Sequence, residues 1–246
     1  MKYLLAISLV FAANLAVGFG EIPPILSICN TTEPEYAKCL QDVVEGLRPN
    51  IASGDYGPGR NTTQLEPFNI TKLDIDKGDS FKCLLRNLSI TGVSKFVFKK
   101  IRDDIPNKWI NISTRLPLMV TKGKYDLKMN LLLLKITGKG DFNLTLKDTL
   151  CNLKIKWYID EQDDKRFIKF NPIDVRLKFD KAKFYLDNLF GGDPALSVVG
   201  NEAINANPMV LLDEVRPTLE ENLRSSLTEI ANTVVEGAEE DEIFPS

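Results

Sequence analysis

Residues 127–146 read LKMNLLLLKITGKGDFNLTL. Up to the leucine run the apolar residues are odd-numbered, at Leu127, Met129, Leu131 and Leu133. After it they are even, at Ile136, Phe142, Leu144 and Leu146. Alternation of this kind marks a β-strand with one dry face, because successive side chains point to opposite sides of the pleat. The change of parity requires one residue to be absorbed between Leu132 and Gly140. A β-bulge or tight bend at Gly138 and Gly140 is the expected device. The four leucines then mark a corner where a strand turns with its sheet, with Leu131 on the dry side.

The same period of two extends on both sides of this stretch. Phe81, Cys83 and Leu85 alternate with Lys82 and Arg86, and Ile110, Ile112 and Leu116 alternate with Asn111, Ser113 and Arg115. Cys151, Leu153, Ile155, Trp157 and Ile159 are all odd, and so are Ile173, Val175, Leu177 and Phe179. This is a long antiparallel sheet with one dry face and one wet face. After Gly191-Gly192-Asp193-Pro194 the period changes. Leu212, Val215, Leu219, Leu223, Leu227, Ile230 and Val234 recur every three or four residues, with Glu214, Arg216, Glu220, Glu221 and Glu229 on the reverse side. The spacing predicts one amphipathic helix over 208–235, roughly seven turns long, with a kink near Asp213 from Pro217. A shorter N-terminal helix is expected from Tyr36, Leu40, Val43 and Leu47. Thr32 and Glu35 stand at capping-box spacing before it, and Gly46 and Pro49 end it.

One apolar helix stripe must cover the dry face of this sheet, so the expected fold is α+β, a highly curved antiparallel sheet wrapped around the long C-terminal helix. A helix is only about 10 Å wide, which leaves either a second layer, an apolar space or aromatic packing inside. The acidic tail 236–246 carries Ile243-Phe244-Pro245, which can dock back on the body.

Composition narrows the chemistry. The chain has 246 residues, no histidine and a formal charge of −3. Without imidazole there is no His-dependent triad and no His-ligated zinc site, and four cysteines at these spacings make no thiolate cluster. Asp163-Asp164 and Glu239-Glu240-Asp241 read as turn and tail rather than as a protected carboxylate pair, so no enzyme activity and no cofactor or metal is expected. The glycine-rich loop 52–63, ASGDYGPGRNTT, lacks the spacing of a phosphate cradle. A weakly acidic chain with interspersed lysines suits neither nucleic acid nor an anionic membrane.

Residues 1–20, MKYLLAISLVFAANLAVGFG, have the early cation, apolar run and small residues of a secretory signal. Residues 21–246 then form a single secreted, extracellular domain that does not span a membrane and acts as a monomer. Six N-x-[ST] sequons, at Asn30, Asn61, Asn69, Asn87, Asn111 and Asn143, fit a glycoprotein. In an oxidising compartment Cys29 and Cys39 are expected to pair.

Several stretches, in this order, resemble the takeout / juvenile hormone binding protein family of insects over nearly the whole mature chain. They are SICNTTEPEYAKCLQDVVEGLRP (27–49), LEPFNITKLDI (65–75), LLRNLSITGVSKFVF (84–98), YDLKMNLLLLKITGKGDFNLTL (125–146) and FYLDNLFGGDPALSVVGNEAINANPMVLLDEVRPTLEENL (184–223). The resemblance implies a tubular lipid-binding fold enclosing an apolar tunnel, and a secreted carrier of juvenile hormone, terpenoids or fatty-acid-like molecules. It matches Cys29 and Cys39 to the family's N-terminal bridge. No cysteine follows Cys151, which points to the takeout branch. Cys83 and Cys151 are either bonded to each other or buried as free thiols. The expected ligand-binding residues are Met129, Leu131, Leu144, Leu153, Ile155, Trp157, Leu212, Leu219 and Leu223. The alternative is an interaction or lipid-surface recognition module of the same fold without a transported ligand. For that reading the cluster of Lys95, Lys99, Lys100 and Arg102 is offset by Asp103 and Asp104.

Overall fold

Two strands of 23 and 29 residues, Trp109–Leu131 (β4) and Leu134–Gln162 (β5), form the spine of the protein. The computed structural model describes residues 22–131, 134–162 and 165–246, so the signal-like segment, Leu132, Leu133, Asp163 and Asp164 lie outside the described residues. The two strands pair antiparallel from Trp109 opposite Lys156 to Leu131 opposite Leu134. The leucine run therefore spans the paired ends of two strands, and among the described residues no bulge interrupts their pairing. Gly138 and Gly140 stand in regular register opposite Leu127 and Tyr125. Partners across an antiparallel pair share a face, and here each odd residue of β4 meets an even residue of β5. Reversal of the chain alone accounts for the change of parity.

The glycines serve a different purpose. A Cβ on Gly138 would stand 2.5 Å from the Tyr125 hydroxyl oxygen and 2.9 Å from Leu189, and one on Gly140 would stand 2.8 Å from the Asp187 carbonyl oxygen. Their bare backbones let the 187–189 segment cross the strand, where Tyr125 donates its hydroxyl to the Asp187 carbonyl.

A true change of face occurs elsewhere, in both strands at once. In β4 the buried residues pass from Met119 and Thr121 to Leu116 and Thr114, and in β5 from Leu144 and Leu146 to Thr149 and Cys151. Pro117 and Asp148 lie between them. Pro117 has no N–H for the ladder, and Asp148 adopts φ +58°, a conformation that non-glycine residues rarely take. Arg115 holds the Asp148 carboxylate at 2.5 Å.

Shorter strands flank the spine. Phe68–Asp76 (β1) pairs Phe81–Thr91 (β2), which pairs β4 over 120–129, and Val97–Asp104 (β3) pairs β4 over 109–115. On the far side of β5 follow Lys165–Phe170 (β6), Asp174–Lys178 (β7) and Lys181–Leu186 (β8). The sheet curls strongly around the long C-terminal helix, as its pattern predicts.

The N-terminal helices are Tyr36–Gly46 (α1) and Arg48–Ser53 (α2). The Thr32–Glu35 capping box does not form, because the Thr32 hydroxyl bonds Asn30 Oδ1 at 2.6 Å instead. Cys29 and Cys39 form the expected disulfide. The periodicity missed the helix Pro194–Ala206 (α3), capped by Asp193, which accepts the Leu196 N–H at 2.9 Å. The long helix is Met209–Val234 (α4), with Pro217 inside it. No helix among the described residues is long and apolar enough to cross a membrane.

Polar residues of α3 and α4 bond the backbone of β6, β7 and β8 and of Ile173 just before β7, where the outer groups have no neighbouring strand. Asn201 accepts the Leu186 N–H at 2.9 Å and donates to its carbonyl at 3.0 Å. Asn205 does the same at Phe184, at 2.8 Å both ways, and Asn232 at Phe170, at 2.9 and 3.2 Å. Glu220 accepts the Leu177 N–H at 2.7 Å and Thr228 that of Ile173 at 2.9 Å. Each side chain stands in for a missing strand.

The tail docks. Phe244 stacks on Trp157 with ring centroids 4.4 Å apart, and the Pro245 carbonyl accepts the Thr31 N–H at 2.8 Å. In the short helix Glu240–Ile243 (α5), Glu240 binds Lys108 and, at 3.2 Å, Arg166, so this acidic residue is paired structurally.

The edge contacts predict a stability effect. Asn232→Ala strands the N–H and carbonyl of Phe170 and is expected to cost about 1–3 kcal/mol. That lowers the melting midpoint by several degrees in a chain of this size. Asn232→Asp keeps the acceptor and loses the donor, so it should fall in between. Thermal unfolding of both variants checks this, and an unchanged midpoint for Asn232→Ala would show that the contact is not structural.

Candidate functional site

The dry face of the sheet and the apolar stripe of α4 do not close completely on each other. An apolar cavity of about 310 Å³ remains between them. All the β-strands except β6 contribute to the wall or stand behind it, and α1 and α2 add Val44 and Ile51. The volume lies at the lower end of the range for small-molecule sites, roughly 300–1,000 Å³.

Of the ligand-binding residues expected from sequence, Leu144, Leu153 and Ile155 on β5 line the cavity, and so do Leu212, Leu219 and Leu223 on α4. The side chain of Leu131 lies outside the described residues. Met129 and Trp157 are buried but do not reach the cavity. Period alone places Trp157 inward correctly, yet the tail takes up its ring. The indole lies against Phe244 and Phe170, with Nε1 3.4 Å from Glu240. A parity argument gives the face of a strand, and only the fold gives what stands opposite.

The wall holds few polar groups. Tyr125 has its hydroxyl on the Asp187 carbonyl, and burial pushes its pKa well above the ordinary tyrosine value. Thr114 donates to the Cys151 carbonyl at 3.3 Å. Thr121 is buried in the wall opposite Leu144. Arg216 is the charged residue of the lining. Sequence reading put it on the wet side of the helix, but it lines the cavity, and its guanidinium meets Asp213 at 3.0 Å. Long basic side chains commonly lie over apolar surface in this way, and helical periodicity carries no signal for it.

Cys83 and Cys151 also face the cavity, both as free thiols, so the second bridge does not exist. Cys83 stands level with Leu127 and thus with Gly138 on β5. From Gly138 to Cys151 is about 40 Å of strand, far beyond disulfide reach. Burial pushes each thiol up to about 12, aided at Cys83 by Asp126 and Asp74 and at Cys151 opposed by the Thr114 hydroxyl. The described residues contain no cluster able to hold a metal ion.

Among the sequons, Asn61, Asn69, Asn87 and Asn143 are exposed and Asn30 and Asn111 half-buried. Asn87 and Asn143 border one polar surface groove together with Lys122 and Tyr185.

The family described as Haemolymph juvenile hormone binding protein (JHBP) matches residues 4–245. No curated protein sequence matches the chain. Among solved structures, Takeout 1 of Epiphyas postvittana superposes with a TM-score of 0.76 at 21% identity, covering 89% of this chain and 99% of that one. A lipopolysaccharide binding protein gives a TM-score of 0.34 at 11% identity, over 78% of this chain and 38% of that one. The fold is that of a hydrophobic-ligand carrier, and the chain belongs to the haemolymph juvenile hormone binding protein family.

Proposed function

We propose that the protein is a secreted carrier that holds one small hydrophobic molecule of the juvenile-hormone, terpenoid or fatty-acid-like class in its cavity. The observation that carries this reading is the nearly all-apolar wall between the sheet and α4. Burying about 300 Å² of apolar ligand surface is worth about 7 kcal/mol before the cost of immobilisation. That supports capture of a ligand by shape and apolarity, with little need for polar contacts. Leu144, Leu153, Ile155, Leu212, Leu219 and Leu223 are its proposed contacts. The Cys29–Cys39 disulfide and the exposed sequons support an extracellular, glycosylated chain with its first 20 residues removed as a signal. The wall itself offers no activated nucleophile, since both thiols stay protonated at neutral pH.

Native mass spectrometry of the purified protein tests the carrier reading, with delipidated protein as control. A co-purifying apolar adduct, displaced by juvenile hormone or a fatty acid, is expected. The reading fails if no adduct is found and no apolar probe binds. Leu223→Trp should fill the cavity, cutting affinity for a fluorescent apolar probe at least tenfold. The overpacking costs about 1–3 kcal/mol of stability and leaves the fold intact by circular dichroism. At pH 8 the two wall thiols should resist iodoacetamide in the native protein and react on unfolding, as counted by intact mass.

A further inference from the structure

Thr121 carries a hydroxyl of the cavity wall for which no hydrogen bond is found among the described residues. The residue is 6% exposed, and its hydroxyl is not among the fully enclosed polar atoms of the described residues, so it stands at the open space of the cavity. The other polar wall groups are committed: Tyr125 to the Asp187 carbonyl, Thr114 to the Cys151 carbonyl and Arg216 to Asp213. The two thiols are weak donors held protonated by burial. Thr121 also lies midway along the wall. Its row runs from Phe68 through Ile90 and Thr121 to Leu144 and Phe184, all apolar save Thr121 itself.

A hydroxyl in a dry apolar chamber is a destabilising feature unless something bonds it, and an apolar chamber of this kind holds water poorly. Threonine suits a strand, but valine would suit this position equally well and without the orphaned group. We infer that Thr121 is a specificity residue that donates its hydroxyl to an acceptor oxygen borne by the ligand part-way along an otherwise apolar body, such as a ketone, ester or ether. The inference rests on the carrier reading and narrows it, because pure hydrocarbons then bind less well than oxygenated molecules of the same length.

The test is displacement of N-phenyl-1-naphthylamine by tridecane, 2-tridecanone and 7-tridecanone from the full chain and from Thr121→Val and Thr121→Ser. Wild type should bind 7-tridecanone about five-fold or more tighter than tridecane, the worth of one hydrogen bond. Thr121→Val should abolish that preference while leaving tridecane affinity unchanged, which also shows that the cavity is intact. Thr121→Ser should restore it. A wild type without the preference, or a valine variant that retains it, overturns the inference and leaves the carrier reading standing. Failure of wild type to bind the fluorescent probe or any of the three ligands overturns both.

Discussion

The hydrogen bonds from α3 and α4 to the backbone of β6, β7 and β8 are the constraint on which the architecture depends. Hydrophobic burial has no direction, and by itself it would press helix and sheet together until no space was left. Side-chain amides are directional. Asn205 and Asn232 each meet both backbone groups of one strand residue, and Glu220 and Thr228 each meet one. Together they hold the two helices over the edge of the sheet, α3 through Asn205 and α4 through Glu220, Thr228 and Asn232. The apolar stripe of α4 is thereby suspended above the concave face, and the cavity persists as the space the hydrogen bonds keep open.

Legibility in the sequence followed the length scale of each interaction. Alternation along strands and the three-four spacing of α4 are local, and both were readable. Leu212, Leu219 and Leu223 followed from that stripe and do line the cavity. The parity change near the leucine run was visible but ambiguous, since a bulge and a chain reversal both produce it. The face change at Pro117 and Asp148 carried a signal in Leu116-Pro117-Leu118-Met119, where alternation fails beside a proline. The α3 helix was hidden because Asn201 and Asn205 face the sheet to bond backbone, where a hydrophobic pattern would demand apolar residues. For Trp157 the face was legible but not the tail that covers it, and the roles of Arg216 and Thr121 were not legible, since they depend on which distant segment stands opposite.

The chemistry of the wall suits containment. Histidine is absent from the chain, the two thiols are held protonated, and the Tyr125 hydroxyl is engaged with backbone. A reactive molecule enclosed there meets few groups able to attack it. The family and the fold are those of ligand carriers rather than enzymes.

The docked tail has a topological consequence. Thr31, just past Cys29, bonds Pro245 through both its N–H and its hydroxyl, at 2.8 and 2.9 Å. Phe244 and Glu240 fix the same segment to Trp157, Lys108 and Arg166. Residues 31 and 245 are thus spatial neighbours, and the described chain is a nearly closed ring whose join is non-covalent. A ring of this kind admits a short linker across the join and new ends at an exposed turn elsewhere, the geometry under which circular permutation is tolerated.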